Sequence, residues 1–244
     1  MIRRWTPVLL AAGLAVASCG GGEDDPTLVL AASSLTDAFR EMETAFEAAN
    51  PDIDIEVALA GSSSLRLQID QGAPADVVAV ANEQVMTELA GEGHVEVPTD
   101  FATNRLVIAA PVDGAAEVTG PESLADPDLL VGLCAAQVPC GQYAEEALAL
   151  AGVEASVDTY EDDVRSLTTK LALGELDVGV VYATDVASRP DDIVVVAPLD
   201  GADVRYPIAP LTDAPNADEA AAFVAFVLSA EGQSILEAAG FGPS

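Results

Sequence analysis

The chain has one histidine, one lysine, one tryptophan and three cysteines in 244 residues, and nine Lys and Arg face 41 Asp and Glu. Each scarcity excludes something. Nucleic-acid backbones are held by clustered cations, so a nucleic-acid partner is excluded, and so is adhesion to anionic lipid through a basic patch. His94 alone cannot supply a histidine-rich metal site. It is also the only histidine that could serve a serine nucleophile. No G-x-S-x-G elbow occurs, and Lys170 completes no S-x-x-K motif. The chain is therefore read as no enzyme and as needing no cofactor. The apolar run from Val8 to Val16 is too short to cross a bilayer as a stable helix. What the chain does have is apolar mass: 50% hydrophobic against 20% charged residues excludes a disordered acidic protein. Its length fits one large or two modest domains with a real core. The formal net charge of −32 would by itself point to a cationic ligand.

The N-terminus reads as an address. Arg3 and Arg4 precede the apolar run, which ends in Val16-Ala17-Ser18-Cys19, followed by Gly20-Gly21-Gly22-Glu23-Asp24-Asp25. A small-residue stretch ending in Cys resembles the lipobox of bacterial lipoproteins. The resemblance implies a signal peptide over residues 1–18, cleavage before Cys19, acylation of Cys19, and a flexible tether over 19–26. An ordinary secretory signal with a free cysteine is the alternative. In an oxidising compartment the remaining pair, Cys134 and Cys140, reads either as a disulfide bracketing a turn or as two reduced, buried thiols. No other cysteine lies near enough to suggest zinc.

From Thr27 onward, strands and helices alternate. Thr27–Ala31 reads as a strand, and Leu35, Ala38, Phe39, Met42 and Phe46 then recur at helical spacing, with Ser34 as N-cap and Asp37 completing a capping-box variant. Further strands are expected at 53–57, 76–80, 105–110, 178–182, 193–196 and 204–209. Further helices are expected at 62–69, 83–90, 142–150, 164–173, 218–228 and 231–239. This alternation predicts an α/β fold with mainly parallel sheets and flanking helices. Ligands of such sheets bind beyond the carboxyl ends of strands. Two of those corners, Ser33-Ser34 and Ser62-Ser63-Ser64, are dense in hydroxyls and open helices, where unpaired N–H groups and the helix dipole favour an anion. One such corner would be ordinary capping. A third at Pro139-Cys140-Gly141 before another helix adds weight to an anion site.

The motifs at these corners, taken in order, carry a resemblance. They are Ala31-Ala32-Ser33-Ser34-Leu35-Thr36-Asp37-Ala38, then Ala60-Gly61-Ser62-Ser63-Ser64-Leu65 with Gln68-Ile69 and Gly72-Ala73-Pro74-Ala75-Asp76. Val138-Pro139-Cys140-Gly141-Gln142-Tyr143-Ala144, Glu161-Asp162-Asp163-Val164-Arg165 and Gly179-Val180-Val181-Tyr182-Ala183-Thr184-Asp185 follow, with the ending Phe223 to Phe241. Together they resemble the periplasmic molybdate-binding proteins, the receptors of molybdate ABC importers. The resemblance implies a two-lobed periplasmic-binding-protein (type II) fold with a ligand cleft between the lobes. Lobe 1 would be residues 27–104 and 206–244, and lobe 2 residues 105–205. It implies an extracytoplasmic, lipid-anchored monomer that hands molybdate or tungstate to an ABC transporter permease. Another oxyanion, such as sulfate, or a small organic anion is the alternative ligand.

Residue by residue, the resemblance makes Ser34 and Ser62 donors of a hydroxyl and a backbone N–H each. Cys140 and Val164 would be donors of backbone N–H groups, and Tyr182 a hydroxyl that completes the cage. Cys140 stands where that family usually has a smaller residue. Arg165, directly after Val164, is expected to pair with a carboxylate rather than touch the ligand, and His94 to lie on the surface before Val95. A cage of this kind binds the molybdenum only as its oxyanion, through neutral dipoles, which reverses the inference from net charge: local donors choose the ligand.

Overall fold

The computed structural model describes residues 25–244. The expected signal peptide, Cys19 and the tether up to Asp24 lie outside the described residues. Asp25 and Pro26, the end of the expected tether, are already docked: their carbonyls accept from the Asn216 side-chain amide at 3.3 and 3.5 Å.

The chain builds one sheet, crosses to build a second, and returns. The first passage is β1 (Thr27–Ala32), α1 (Thr36–Ala49), β2 (Ile55–Ala60), α2 (Ser62–Asp70), β3 (Val77–Ala79), α3 (Glu83–Gly91) and β4 (Thr99–Asn104). Only Arg105 separates β4 from β5 (Leu106–Pro111), which enters the second sheet. There follow β6 (Val131–Cys134), α4 (Pro139–Ala151), β7 (Val157–Glu161), α5 (Val164–Ala172), β8 (Val178–Tyr182), α6 (Ala183–Ala187) and β9 (Ile193–Pro198). The chain recrosses into β10 (Val204–Pro210) and closes with α7 (Ala217–Val227) and α8 (Ala230–Ala238). The returning strand starts at Val204, two residues ahead of the lobe boundary expected at 206.

The fold is α/β, built as two five-stranded sheets ordered β2-β1-β3-β10-β4 and β7-β6-β8-β5-β9. The sheets are mixed rather than mainly parallel. β1 runs parallel to β2 and β3, and β6 parallel to β7 and β8, while β10 and β5 run against both of their neighbours. The reason is local. A strand reached through a helical crossover comes back parallel, whereas β5 and β10 arrive directly from the other sheet and set off from the cleft end. Leu106, the first residue of β5, accordingly pairs with Tyr182, the last of β8.

The apolar stripe of α1 does what its spacing demands. Ala38, Phe39, Met42 and Phe46 are all buried. Phe39 packs against Phe101 of β4 and Phe223 of α7, with ring centroids 5.8 and 6.1 Å apart. Each buried Phe or Met side chain contributes roughly 1.5–3 kcal/mol through burial. Asp76, buried ahead of β3, ties three segments together. Its carboxylate accepts from Leu28 N at 2.8 Å and from Asn216 N at 2.6 Å. The conspicuous Gly-Ala-Pro-Ala-Asp stretch therefore ends in a residue that builds the scaffold of this lobe. Among the described residues no single helix is long and apolar enough to cross a membrane.

Candidate functional site

The strand ends of both sheets meet at one small cavity. From the first sheet come Ser33 and Ser34 after β1, Gly61 and Ser62 after β2, and Ala81 after β3. From the second come Val138, Pro139 and Cys140 at the start of α4, Asp163 and Val164 at the start of α5, and Tyr182 at the end of β8. All five residues singled out from the sequence, Ser34, Ser62, Cys140, Val164 and Tyr182, thus line the same space.

Ser34 does not cap α1. It sits in a 3-10 turn, Ser33–Leu35, that precedes the helix, and the residue at the cap position is Leu35, which makes no side-chain cap bond. The extra turn lifts Ser34 off the helix entrance, and its Oγ instead accepts from the Tyr206 hydroxyl at 3.0 Å. Asp37, the expected partner in a capping box, pairs with Arg165 at 3.1 Å. Ser62 opens α2 and is buried, and its Oγ accepts from the Ala81 N–H at 3.0 Å. Each serine thus has a lone pair engaged by the protein and a hydroxyl proton left to give.

The second sheet offers main-chain donors. Helix α4 starts at Pro139, three residues earlier than apolar spacing suggests, because proline fits a position whose N–H has no helical acceptor. The next amide, Cys140 N–H, belongs to the unpaired first turn. The Cys140 side chain is turned away into a disulfide with Cys134, which decides between the two readings of that pair. Val164 N–H opens α5 in the same way, and the Val164 side chain is buried in the core. Asp163 is the one acidic side chain in the lining. Its two oxygens are engaged by Ser166 N at 2.9 Å and Ser166 Oγ at 3.0 Å, which caps α5.

Tyr182 is 1% exposed, and its hydroxyl has no hydrogen-bond partner among the described residues. A buried hydroxyl normally finds one. Burial pushes its pKa well above the ordinary tyrosine value, so the group is a phenol with a proton to donate. Three residues on, Asp185 is buried and accepts from the Tyr182 N–H at 3.1 Å. Desolvation raises the Asp185 pKa to about 7, against the partial relief that this N–H provides.

The two sides of the cleft touch. Ser63 Oγ donates to the Gln137 carbonyl at 2.7 Å, Asn82 Nδ2 to Gln142 Oε1 at 2.8 Å, and Arg165 pairs with Asp37. Gly61 marks another close approach: a Cβ there would lie 2.8 Å from the Asp162 carbonyl oxygen. Far from the cavity, His94 is half-buried beside Asp70 at 3.3 Å, in a network where Arg66 also pairs with Glu88 and Glu92. Sequence reasoning missed Tyr206, Asn104 and the Ala81 amide. None of them stands in a motif, and only the folded topology brings them to the serines.

Comparison with known proteins follows the same lines. The family model "Bacterial extracellular solute-binding protein" matches residues 27–242. The molybdate-binding protein ModA of Mycobacterium tuberculosis is 35% identical over 217 residues, covering 88% of this chain and 83% of that protein. Among solved structures, the periplasmic molybdate-binding protein of Azotobacter vinelandii superposes with a TM-score of 0.75 at 17% identity, over 89% of this chain and 99% of the other. The sulfate-binding protein SubI of Mycobacterium tuberculosis superposes with a TM-score of 0.78 at 16% identity, over 89% and 86%. At these identities the two structures speak to the fold alone: a two-lobed periplasmic-binding-protein architecture.

Proposed function

This chain belongs to the family of bacterial extracellular solute-binding proteins, a family of receptors and not of enzymes, and from that premise we propose that it is the molybdate receptor of an ABC importer. The observation that carries the reading is the Tyr182 hydroxyl, buried and without a partner among the described residues, in a cavity lined also by Ser34, Ser62 and the first turns of α4 and α5. Ser34 and Ser62 give hydroxyl protons, the first-turn amides of α4 and α5 give N–H groups at Cys140 and Val164, and Tyr182 gives its phenol proton. Hydrogen bonds to an ionised acceptor are about twice as strong as neutral ones, so converging neutral donors hold a dianion without a cation. The 35% identity to a molybdate-binding protein supports that ligand in particular.

A fully deprotonated tetrahedral oxyanion suits a wall of donors, because it brings acceptors and no proton. Molybdate and tungstate are nearly the same size and bind alike. Sulfate, with shorter bonds, leaves some of the donors poorly satisfied. In this reading residues 27–104 with 206–244 and residues 105–205 form the two lobes, and the ligand is held where they meet. The monomeric receptor is exported, anchored to the membrane through lipidated Cys19, and delivers its cargo to the permease.

Calorimetric and thermal-shift titrations with molybdate, tungstate, sulfate and phosphate test this. A ligand of the folded state at a hundred times its Kd adds about 2.7 kcal/mol of stability. Molybdate and tungstate are expected to raise the melting temperature clearly and sulfate far less. A response to sulfate without one to molybdate overturns the ligand assignment. Silence toward all four overturns the site. Mass spectrometry of the mature N-terminus, expected to find diacylglycerol on Cys19, tests the anchor.

A further inference from the structure

One side chain behind the cavity wall is bonded to a serine that lines the cavity. Tyr206 is completely buried in β10, and its hydroxyl donates to Ser34 Oγ at 3.0 Å. The direction of that bond follows from what stands behind it. Asn104 Oδ1 accepts from the main-chain N–H of Arg105 at 2.8 Å. A backbone N–H can only donate, so this bond fixes which end of the Asn104 amide is oxygen. The opposite end, Nδ2, then has to donate, and it does so to Thr184 Oγ1 at 2.9 Å and to the Tyr206 oxygen at 3.3 Å. A phenol oxygen that accepts from Asn104 turns its own proton to the remaining neighbour, Ser34. Ser34 Oγ, having accepted, turns its proton away from Tyr206.

We propose that Tyr206 is the positioning residue of the anion site: relaying a direction set by the Arg105 amide through Asn104, it locks the Ser34 hydroxyl as a donor toward the cavity. A free serine hydroxyl rotates and is donor or acceptor by turns. This one is oriented before any anion arrives, so the alignment is not charged against binding. Ser62 is oriented by the simpler device of a direct main-chain bond from Ala81. Ser34, on a 3-10 turn beyond the reach of such an amide, receives the same service through two side chains. The assignment rests on the reading of the cavity as an oxyanion site.

Tyr206→Phe removes one oxygen and keeps the ring, which packs edge-on against Phe101, Tyr182 and Phe241. Molybdate titrations of the wild type, Tyr206→Phe, Ser34→Ala and the double variant form the test. Tyr206→Phe is expected to weaken molybdate binding about tenfold, the size of one charge-assisted hydrogen bond lost from alignment. In the Ser34→Ala background the same change is expected to alter affinity less than twofold, since Tyr206 acts only through that serine. A purely structural role would move both backgrounds equally, and additive losses overturn the proposal, as does wild-type affinity in Tyr206→Phe. Ligand-free melting checks the fold. Should Tyr206→Phe not fold, Asn104→Leu breaks the relay one link earlier and is expected to lose affinity only when Ser34 is present; a loss equal in both backgrounds overturns the proposal. A wild type that binds no oxyanion refutes the receptor reading instead, so the two failures are separable.

Discussion

On the wall built from the first sheet, Ser34 and Ser62 present side-chain hydroxyls, each oriented by a bond from behind. On the wall built from the second, Cys140 and Val164 present main-chain amides, while their side chains are engaged elsewhere, one in a disulfide and the other in the core. The difference teaches how each side can be damaged. The first wall fails when an atom is deleted. The second fails only when its backbone is displaced, which leaves side-chain identity at Cys140 and Val164 free so long as the helix starts stay put. Tyr182 alone brings a side-chain donor to the second wall.

Displacing the backbone should do the most harm. Gly141 packs so tightly on the Ala135 and Cys134 carbonyls that any Cβ would collide with them. Gly141→Val is expected to move the start of α4, cost upward of about 4 kcal/mol of stability and abolish molybdate binding, read by melting and titration. Binding that survives would mean that the amides of the second wall are not donors.

The next largest effect concerns pH, and it too belongs to the second wall. The Asp185 pKa of about 7 lies above its ordinary value near 3.8, so the folded protein holds this proton more tightly than the unfolded chain. Its contribution to stability is complete below about pH 4 and is lost as pH rises toward 7. The wild type minus Asp185→Asn difference in stability should therefore fall by on the order of 3 kcal/mol between pH 4 and 8, measured by denaturation at each pH. A flat difference would place the proton elsewhere.

Deleting an atom comes third. Ser62→Ala removes one donor and strands the buried Ala81 N–H, and should weaken molybdate binding by about 2 kcal/mol while costing the ligand-free protein about 1–3 kcal/mol of stability. Val164→Ala is the smallest in affinity. It should cost roughly 1–2 kcal/mol of stability through lost burial, yet change the Kd less than twofold. If the two substitutions weakened binding equally, the contrast between the walls would collapse.

Much of this was legible in the residues. The stripe of α1 and the buried strand β8 announce themselves through period and β-branched content. Strands β4, β6 and β7 do not: Thr-Asp-Phe-Ala-Thr-Asn and Val-Asp-Thr-Tyr-Glu are polar and short, and β6 is only four residues long. What makes them strands is a neighbour in the sheet, which a local pattern cannot express. The site divides in the same way. Serines at helix starts are visible along the chain, but the orientation of their protons depends on Tyr206 and Ala81, 172 and 19 residues away. The 3-10 turn at Ser33–Leu35 defeats a capping reading for the same reason, since its purpose lies across the sheet.

If the protein is the receptor proposed above, Gly61 has a consequence for how it reports its state. The glycine lines the cavity without offering a side chain, and its bare α-carbon lets the two halves come flush against Asp162. A single methyl there would act as a wedge in a door. The cavity could still collect its anion on one side, but the jaws would stop short of meeting. A transporter that recognises the shut outline would then receive a loaded molecule it reads as empty. On the proposed receptor reading, occupancy and message are joined at this position by the absence of one carbon atom.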